Sequence, residues 1–358
     1  MTASKAPSQP ERVLIIKPSA LGDVVTAMPV LRGLKRTFPE CSVSWLVNVN
    51  CEDLISHDSD LDEIVAFDRR KMGKAWRSLS AAGLVVSFLW KLRRSHFDWV
   101  LDLQGLLRSG IFTRATGASV RAGFASAREG AAWFYNHRFS PEASHTVDRN
   151  IELAQHLGVD ARSEDMTLQI APEAQQFADE FMSDNNLQAG GFIACVPPTR
   201  WETKLYPSRH WRRVVSALAK RTTVVLLGGP GDRDLCQAAM QGTESGAINL
   251  AGQTGVREFV AMIGASGGVI CGDSAASFIA PAVGVDSIAL IGPTRTERTG
   301  PYGGGRAIVG DTPCQGCLKK QCSHITCMQI INPDEVIEAA GVMLASVSNR
   351  PTSNIIQR

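Results

Sequence analysis

The sequence lacks a long hydrophobic run and an excess of charge of one sign. Its longest apolar stretch, residues 83–90, is far shorter than the roughly 20 residues that a membrane-spanning helix needs. The 37 Lys and Arg residues nearly balance the 35 Asp and Glu residues, for a formal charge of +2. No overall field therefore attracts nucleic acid by its phosphates. We expect neither a transmembrane helix nor a nucleic-acid partner, so an anionic ligand needs a local basic patch.

The sequence also lacks the marks of a secreted protein. Residues 1–11 contain no apolar core of a secretion signal, and the nine cysteines are an odd number. Both features favour a cytoplasmic protein with reduced thiols over a disulfide framework. Residues 1–11 are expected to form a disordered lead-in, and residues 348–358 a disordered tail.

The length and the hydrophobic pattern predict two α/β domains. The 358 residues suffice for about two domains of ordinary size, and we place their boundary near Ala171, giving domains at 12–171 and 172–347. Short β-branched runs alternate with segments of helical period in both, as in parallel sheets with crossover helices. Strands are predicted at 12–17, 42–48, 64–67, 97–103, 192–196, 223–227, 268–271 and 287–291. Helices are predicted at 23–38, 75–94, 146–157, 173–185, 208–220, 232–240, 257–265 and 274–283.

Ligands of such folds bind beyond the carboxyl ends of the strands, so the loops there carry the candidate site. The first loop, residues 17–23, leads from a strand into a helix that begins at or just after Asp23. The carboxylate of Asp23 has two explanations. It could be the N-cap of the helix, or a general base beside Gly22, which lets a substrate approach the backbone.

Three loops of the second domain suit a phosphorylated ligand. Thr199, Thr203 and Lys204 offer two hydroxyls and an ammonium for a phosphate or diphosphate, although a lone exposed lysine is the common alternative. In the Gly-rich turn at 227–234, Asp232 could accept from ribose hydroxyls. The loop Gly272–Ser277 opens a helix whose first amides suit a leaving diphosphate.

Three further segments have competing interpretations. The loop at 292–303 holds too many Gly and Pro for a helix and is either a surface turn or a binding loop. The apolar helix at 79–94, with a basic end, either covers the sheet or contacts a membrane surface. Cys314, Cys317, Cys322 and Cys327 permit a structural zinc, but we favour reduced thiols.

Together these motifs resemble glycosyltransferase family 9, the ADP-heptose:lipopolysaccharide heptosyltransferases, over about residues 12–340. The resemblance rests on Lys17–Asp23, Lys204-x-Tyr206-Pro207, Gly272-Asp273-Ser274, Gly292-Pro293-Thr294 and Thr299–Gly303. The segments at 102–109, 123–124, 127–129, 134–137 and 145–150 are similar to the type I enzymes, which add the first heptose to Kdo.

The resemblance implies a GT-B fold: two Rossmann-like domains whose parallel sheets face a central cleft, the first binding the acceptor and the second the nucleotide sugar. It implies an inverting transfer from ADP-heptose to a Kdo-lipid A acceptor, without a required metal or cofactor. Asp23 would be the catalytic base and Lys204 the phosphate-binding lysine. The resemblance also assigns Asp273 to the nucleotide sugar and Arg69, Arg70, Arg108 and Arg128 to the acceptor. With the residues of the loops above, the candidate donor contacts are Thr199, Thr203, Asp232, Asp273, Ser274 and Thr294, and Lys17 is added to the candidate acceptor contacts.

One loop departs from the family pattern. Relatives usually read Asp-Ser/Thr-Gly-x-x-His where this chain has Ala275 and Phe278. Phe278 is either a lost contact to the donor or a core residue of the helix. The alternatives are therefore a family 9 transferase that uses another nucleotide sugar, and a catalytically silent protein that binds sugar nucleotides.

Overall fold

The computed structural model describes residues 9–74 and 77–348. The chain divides into two compact units, residues 1–167 and 168–358, called here the N-terminal and C-terminal units. The division precedes the predicted boundary at Ala171, because the backbone N–H of Leu168 already donates to the carbonyl of Ala282 in the C-terminal unit, at 2.8 Å. Residues 1–8 of the predicted lead-in and 349–358 of the predicted tail lie outside the described residues.

The N-terminal unit is a parallel sheet covered by helices. Its strands are β1 (Arg12–Ile16), β2 (Ser42–Asn48), β3 (Glu63–Phe67), β4 (Trp99–Asp102), β5 (Val120–Phe124) and β6 (His137–Phe139). Its helices are α1 (Leu21–Val25), α2 (Met28–Thr37), α3 (Arg69–Met72), α4 (Leu79–Arg94), α5 (Leu107–Thr116) and α6 (Thr146–His156). The strand order is β3-β2-β1-β4-β5-β6, and every neighbouring pair is parallel.

The C-terminal unit repeats this architecture. Its strands are β7 (Phe192–Val196), β8 (Thr223–Leu226), β9 (Ala247–Asn249), β10 (Gly268–Gly272), β11 (Ser287–Ile291) and β12 (Gly305–Val309). Its helices are α7 (Pro172–Asp184), α8 (Ser208–Leu218), α9 (Arg233–Met240), α10 (Val256–Ala265), α11 (Ala276–Ala282), α12 (Thr296–Thr299), α13 (Thr326–Gln329) and α14 (Pro333–Ser348). The order is β12-β11-β10-β7-β8-β9, again all parallel.

Burial on both faces explains the continuous apolar runs of the central strands. Every residue of β7, β10 and β11 is buried, as expected where helices cover both faces of a sheet. In the C-terminal unit, Trp211 of α8 and Tyr206 pack in the core, and the Tyr206 hydroxyl donates to the carbonyl of Ile331 at 3.1 Å. The α/β class and the two parallel sheets predicted from the sequence are confirmed.

Two predicted helices differ from the observed ones by a break or by more than two residues at one end. The predicted helix at 23–38 is two helices, α1 and α2, because Pro29 in the first turn of α2 has no N–H to continue the hydrogen-bond ladder of α1. The predicted helix at 75–94 begins as α4 at Leu79, where the Ser78 hydroxyl accepts from the N–H of Ala81 at 3.4 Å. Ala75 and Trp76 lie outside the described residues.

Several elements were not predicted. They are α3, α5, β5 and β6 in the N-terminal unit, and β9, β12, α12, α13 and α14 in the C-terminal unit. The expectation that residues 292–303 form no helix is wrong, because α12 makes one short turn there. Across residues 9–74 and 77–348, no helix is both long enough and apolar enough to cross a bilayer.

Candidate active site

Asp23 lies in the first turn of α1, after the buried strand β1. The residue that precedes the helix is Ala20, and its backbone N–H donates to Asp23 Oδ2 at 2.9 Å. The Asp23 side chain is 45% exposed, and its Oδ1 lies 4.0 Å from Lys17 Nζ. The N-cap alternative is therefore wrong, because Ala20 and not Asp23 occupies the N-cap position. One oxygen of the Asp23 carboxylate nevertheless accepts from an amide at the start of the helix. The exposure leaves room for a hydroxyl group to approach the carboxylate.

Lys17 lies beneath this carboxylate. Its side chain is buried, and its ammonium donates to the carbonyl of Leu103 at 2.7 Å. Leu103 directly follows β4, the neighbour of β1, so the bond joins the carboxyl ends of two central strands. This position suits an electrostatic role toward Asp23 at least as well as the predicted contact with an acceptor.

The predicted acceptor arginines lie on loops that follow β3, β4 and β5. Arg69 and Arg70 open α3, Arg108 lies in the first turn of α5, and all three are exposed. Partial burial, and next the charge of Arg69, lower the pKa of Arg108. The exposed Arg128 lies beside the same loop, since its N–H donates to the carbonyl of Gly105 at 2.9 Å. The four exposed arginines that follow β3, β4 and β5 are called here the basic surface: Arg69, Arg70, Arg108 and Arg128.

A buried carboxylate, Asp102, supports this loop and was not singled out as a site residue from the sequence. It ends β4 and is fully buried. It accepts from the Tyr135 hydroxyl at 2.6 Å and from the backbone N–H groups of Gln104 at 2.9 Å and Gly105 at 3.1 Å. Burial raises the pKa of Asp102 despite these donors. The sequence signal is an acidic residue at the end of an apolar strand, inside one of the segments that resemble the family.

In the C-terminal unit, Lys204 and Asp273 form a buried ion pair. Lys204 Nζ lies 2.9 Å from Asp273 Oδ2, and the two side chains are only 13% and 7% exposed. The hydroxyl of Thr294 donates to the same Asp273 oxygen. The Lys204 ammonium also lies 4.5 Å from the centre of the Trp201 ring. Lys204 was expected to be exposed if it had no function, and its burial beside a carboxylate contradicts that alternative.

The other predicted donor residues lie in loops that follow strands of the same sheet. Thr199 donates to the carbonyl of Trp201 at 2.9 Å, and Thr203 to the carbonyl of Lys319 at 2.9 Å. Thr199 also packs closely on Gly272: a Cβ added at position 272 would lie 2.4 Å from the methyl carbon of Thr199. Ser274 follows Asp273 directly. Asp232 accepts from the N–H of Gly229 at 2.8 Å, so one of its oxygens shapes the Gly-rich turn.

The helix after Asp273 differs from the prediction. It begins at Ala276 instead of Ser274, has seven residues and contains Pro281. Such a short helix contributes little dipole field to a leaving diphosphate. Phe278 is buried among the core residues and only 7% exposed. The structure therefore favours the core interpretation of Phe278 over a lost donor contact.

The four C-terminal cysteines are free thiols in different surroundings. Cys314 and Cys317 are exposed, Cys322 is half-buried and Cys327 is buried. Burial, and next the neighbouring Cys314, raise the pKa of Cys327. Within residues 9–74 and 77–348, no three His, Cys, Asp or Glu side chains are arranged to hold a metal ion. The zinc hypothesis gains no geometric support from these positions.

Comparison with known proteins agrees with the resemblance. The family model described as glycosyltransferase family 9 (heptosyltransferase) matches residues 85–327, more than half of the chain. Lipopolysaccharide heptosyltransferase 1 of Pseudomonas aeruginosa is 29% identical over 87% of this chain and 88% of its own length.

Two solved structures share the fold. A family 9 glycosyltransferase from Veillonella parvula superimposes with a TM-score of 0.80 at 21% identity, covering 96% of this chain and 99% of the other. The E. coli heptosyltransferase WaaC, solved with ADP-2-deoxy-2-fluoro heptose, gives a TM-score of 0.74 at 23% identity, covering 92% and 99%.

Proposed function

Because the chain belongs to glycosyltransferase family 9, we propose that it transfers heptose from ADP-heptose to the Kdo residue of the lipopolysaccharide inner core. The relatives named lipopolysaccharide heptosyltransferase supply the substrate class. The observation in this chain that carries the proposal is the buried Lys204–Asp273 pair beside Thr294. It positions an ammonium at the strand ends of the C-terminal unit, where a diphosphate leaving group needs positive charge.

The proposed reaction is a single displacement with inversion at the anomeric carbon. Asp23 takes the proton of the attacking acceptor hydroxyl, whose oxygen forms the new bond to the anomeric carbon. The bond from that carbon to the diphosphate breaks, and ADP leaves with the electron pair. Asp23 suits the role because its carboxylate is half-exposed, while the Ala20 amide fixes its orientation.

The leaving diphosphate is stabilised by Lys204, which Asp273 and Thr294 hold in place. Thr199, Thr203 and Ser274 line the same strand ends, and Asp232 would accept from the ribose. No step is assigned to a metal or cofactor, because the Lys204 side chain itself brings positive charge to the leaving group.

The acceptor is assigned to the basic surface of the N-terminal unit. Arg69, Arg70, Arg108 and Arg128 would bind the phosphate and carboxylate groups of a Kdo-lipid A acceptor, since guanidinium groups bind both in bidentate fashion. Lys17, which is buried, would act on the acceptor through Asp23.

We also propose that the enzyme works at the cytoplasmic face of the inner membrane, with helix α4 contacting the lipid surface. Apolar side chains of α4 are unusually exposed: Leu79 by 94% and Trp90 by 59%. Arg94 lies 5.6 Å from the Trp90 ring. Apolar groups beside cations suit an interface of anionic lipids. The α4 patch consists of Leu79, Leu84, Val86, Trp90, Lys91, Arg93 and Arg94.

Vesicle sedimentation tests the membrane contact. Trp90→Ser should reduce binding to phosphatidylglycerol vesicles severalfold, because it removes the largest apolar group of the α4 patch. Trp133→Ser is the matched control, since Trp133 is 82% exposed elsewhere in the same unit. Equal binding of all three proteins, or no binding by the parent, would remove the membrane contact from the proposal.

A screen of nucleotide sugars with Kdo-lipid A as acceptor tests the main proposal. Transfer from ADP-heptose is the expected result. Transfer only from another nucleotide sugar would favour the second function, a family 9 enzyme with a different donor, for which Ala275 and Phe278 are the motivating residues. Nucleotide binding without turnover would indicate a silent binding protein.

A further inference from the structure

The segment between Cys314 and Cys322, called here the cysteine loop, is hydrogen-bonded to residues that lie next to the Lys204–Asp273 pair. The side-chain amide of Gln315 donates to the carbonyl of Thr294 at 2.8 Å. The N–H of Leu318 donates to the carbonyl of Pro293 at 2.7 Å. At its other side, the carbonyl of Lys319 accepts from the hydroxyl of Thr203 at 2.9 Å. The loop is therefore hydrogen-bonded to the segment that carries Lys204 and to the loop whose Thr294 donates to Asp273.

This attachment brings a second lysine to the ring that Lys204 contacts. The Lys320 ammonium lies 5.2 Å from the centre of the Trp201 ring, and the Lys204 ammonium 4.5 Å from it. Both distances fall in the range of cation–π attraction. Two ammonium groups thus lie within 5.2 Å of the centre of the Trp201 ring, although like charges repel each other.

The two ammonium groups differ in how their charge is compensated. Lys204 is paired with Asp273 at 2.9 Å, so that pair is neutral as a unit. Across the described residues, Lys320 makes no ion pair with a carboxylate. One ammonium that is shared with Asp273 and followed by a seven-residue helix compensates only part of the charge of a diphosphate.

We infer that Lys320 is a second diphosphate-binding cation of the donor site, held ready by the face of Trp201. This inference rests on the proposed function, because it assumes a nucleoside diphosphate at Lys204. It assigns the cysteine loop to the donor site and gives Trp201 a positioning role. Neither residue belongs to the motifs that carry the resemblance to the family.

Calorimetric titration of the full chain with ADP tests the inference. Lys320→Met keeps the length of the side chain and removes its charge, and we expect it to weaken ADP binding by on the order of 10-fold. Lys319→Met is the matched control: it is the adjacent exposed lysine, it contributes only its carbonyl to the contacts above, and its charge acts on Cys322. We expect less than about a twofold change for it.

Ionic strength adds a readout that a structural role would not move. The difference in ADP affinity between the parent and Lys320→Met should shrink as salt is raised, because salt screens a partly exposed charge. Parent-like binding by Lys320→Met, or an equal loss in Lys319→Met, would overturn the inference and leave the proposed function intact. A parent that does not bind ADP would overturn both.

Discussion

The two oxygens of the Asp23 carboxylate have different surroundings, and this difference lets one residue serve both structure and chemistry. Oδ2 accepts from the Ala20 amide at 2.9 Å, while Oδ1 lies 4.0 Å from the buried Lys17 ammonium. A carboxylate fixed through one oxygen keeps a defined direction for the other. Such a fixed direction favours proton transfer from a bound hydroxyl.

Asp23→Asn separates the two roles. The amide oxygen of Asn can still accept from Ala20, so we expect the thermal stability to stay close to that of the parent. The transfer rate should fall by about 10²–10⁴-fold, the usual contribution of a general base. Asp23→Ala should show the same fall in transfer rate. It should also lose about 0.5–2 kcal/mol of stability, the range for a lost helix cap, because no side-chain oxygen then accepts from the Ala20 amide. Parent-like turnover of Asp23→Asn in a steady-state assay would leave the residue a structural role only.

Lys204→Ala should weaken ADP binding by about 1.5–3 kcal/mol, the value of a hydrogen bond to a charged group. It should also destabilise the fold by roughly 3–5 kcal/mol, because Asp273 stays buried without its cation. The double variant Lys204→Ala/Asp273→Asn should recover much of that stability but not the affinity. Calorimetry and denaturant titration measure the two effects, and unaltered ADP affinity would remove Lys204 from the site.

At the scale of elements, α11 shows how burial decides between two interpretations of one residue. Phe278 lies in the core, so a histidine there would lose apolar contacts and be desolvated. We expect Ala275→Gly/Phe278→His to lose on the order of 2 kcal/mol of stability, with no gain in donor affinity. The single variant Ala275→Gly controls for the backbone. Faster transfer from ADP-heptose by the double variant would instead show that position 278 reaches the ligand.

The loop between β4 and α5 depends on Asp102, and its stability should depend on pH. Burial raises the pKa of Asp102 in the folded chain above its unfolded value. The folded chain thus binds the proton of the Asp102 carboxyl group more tightly than the unfolded chain does. The contribution of Asp102 to stability is therefore fully present below the unfolded pKa and falls as pH rises through the folded pKa.

Asp102→Asn should remove this part of the pH dependence. Free energies of unfolding, measured by urea titration between acid and neutral pH, should decline more for the parent than for the variant as the pH rises. Parallel curves for the two proteins would contradict the assigned direction of the pKa shift.

At the scale of the whole molecule, the sequence predicts the buried strands best. For β7 and β11 the predicted and observed bounds agree, because a continuous apolar run is typical of a strand covered on both faces. The edge strand β9 has three half-buried residues, too few to make a pattern. Helix α14 was not predicted, although Asn332 followed by Pro333 is a typical start of a helix: the Asn332 side chain accepts from the N–H of Asp334.

The candidate site was predictable where the chemistry lies in short loops after strands, as for Asp23 and Lys204. The hydrogen-bond partners of the site residues were less predictable, because they come from distant segments of the chain. Tyr135 reaches Asp102 across 33 positions, and the carbonyl of Lys319 accepts from Thr203 across 116. No local pattern encodes such pairs, since only the folded topology brings them together.

The proposed reaction is one displacement at the anomeric carbon, with Asp23 as the base. The most direct test is the anomeric configuration of the transferred sugar, read by NMR on the product of ADP-heptose and Kdo-lipid A. We predict that the new linkage has the configuration opposite to that of the donor. A product with the donor's configuration would contradict the single displacement, and absence of any transferred heptose would contradict the proposed activity itself.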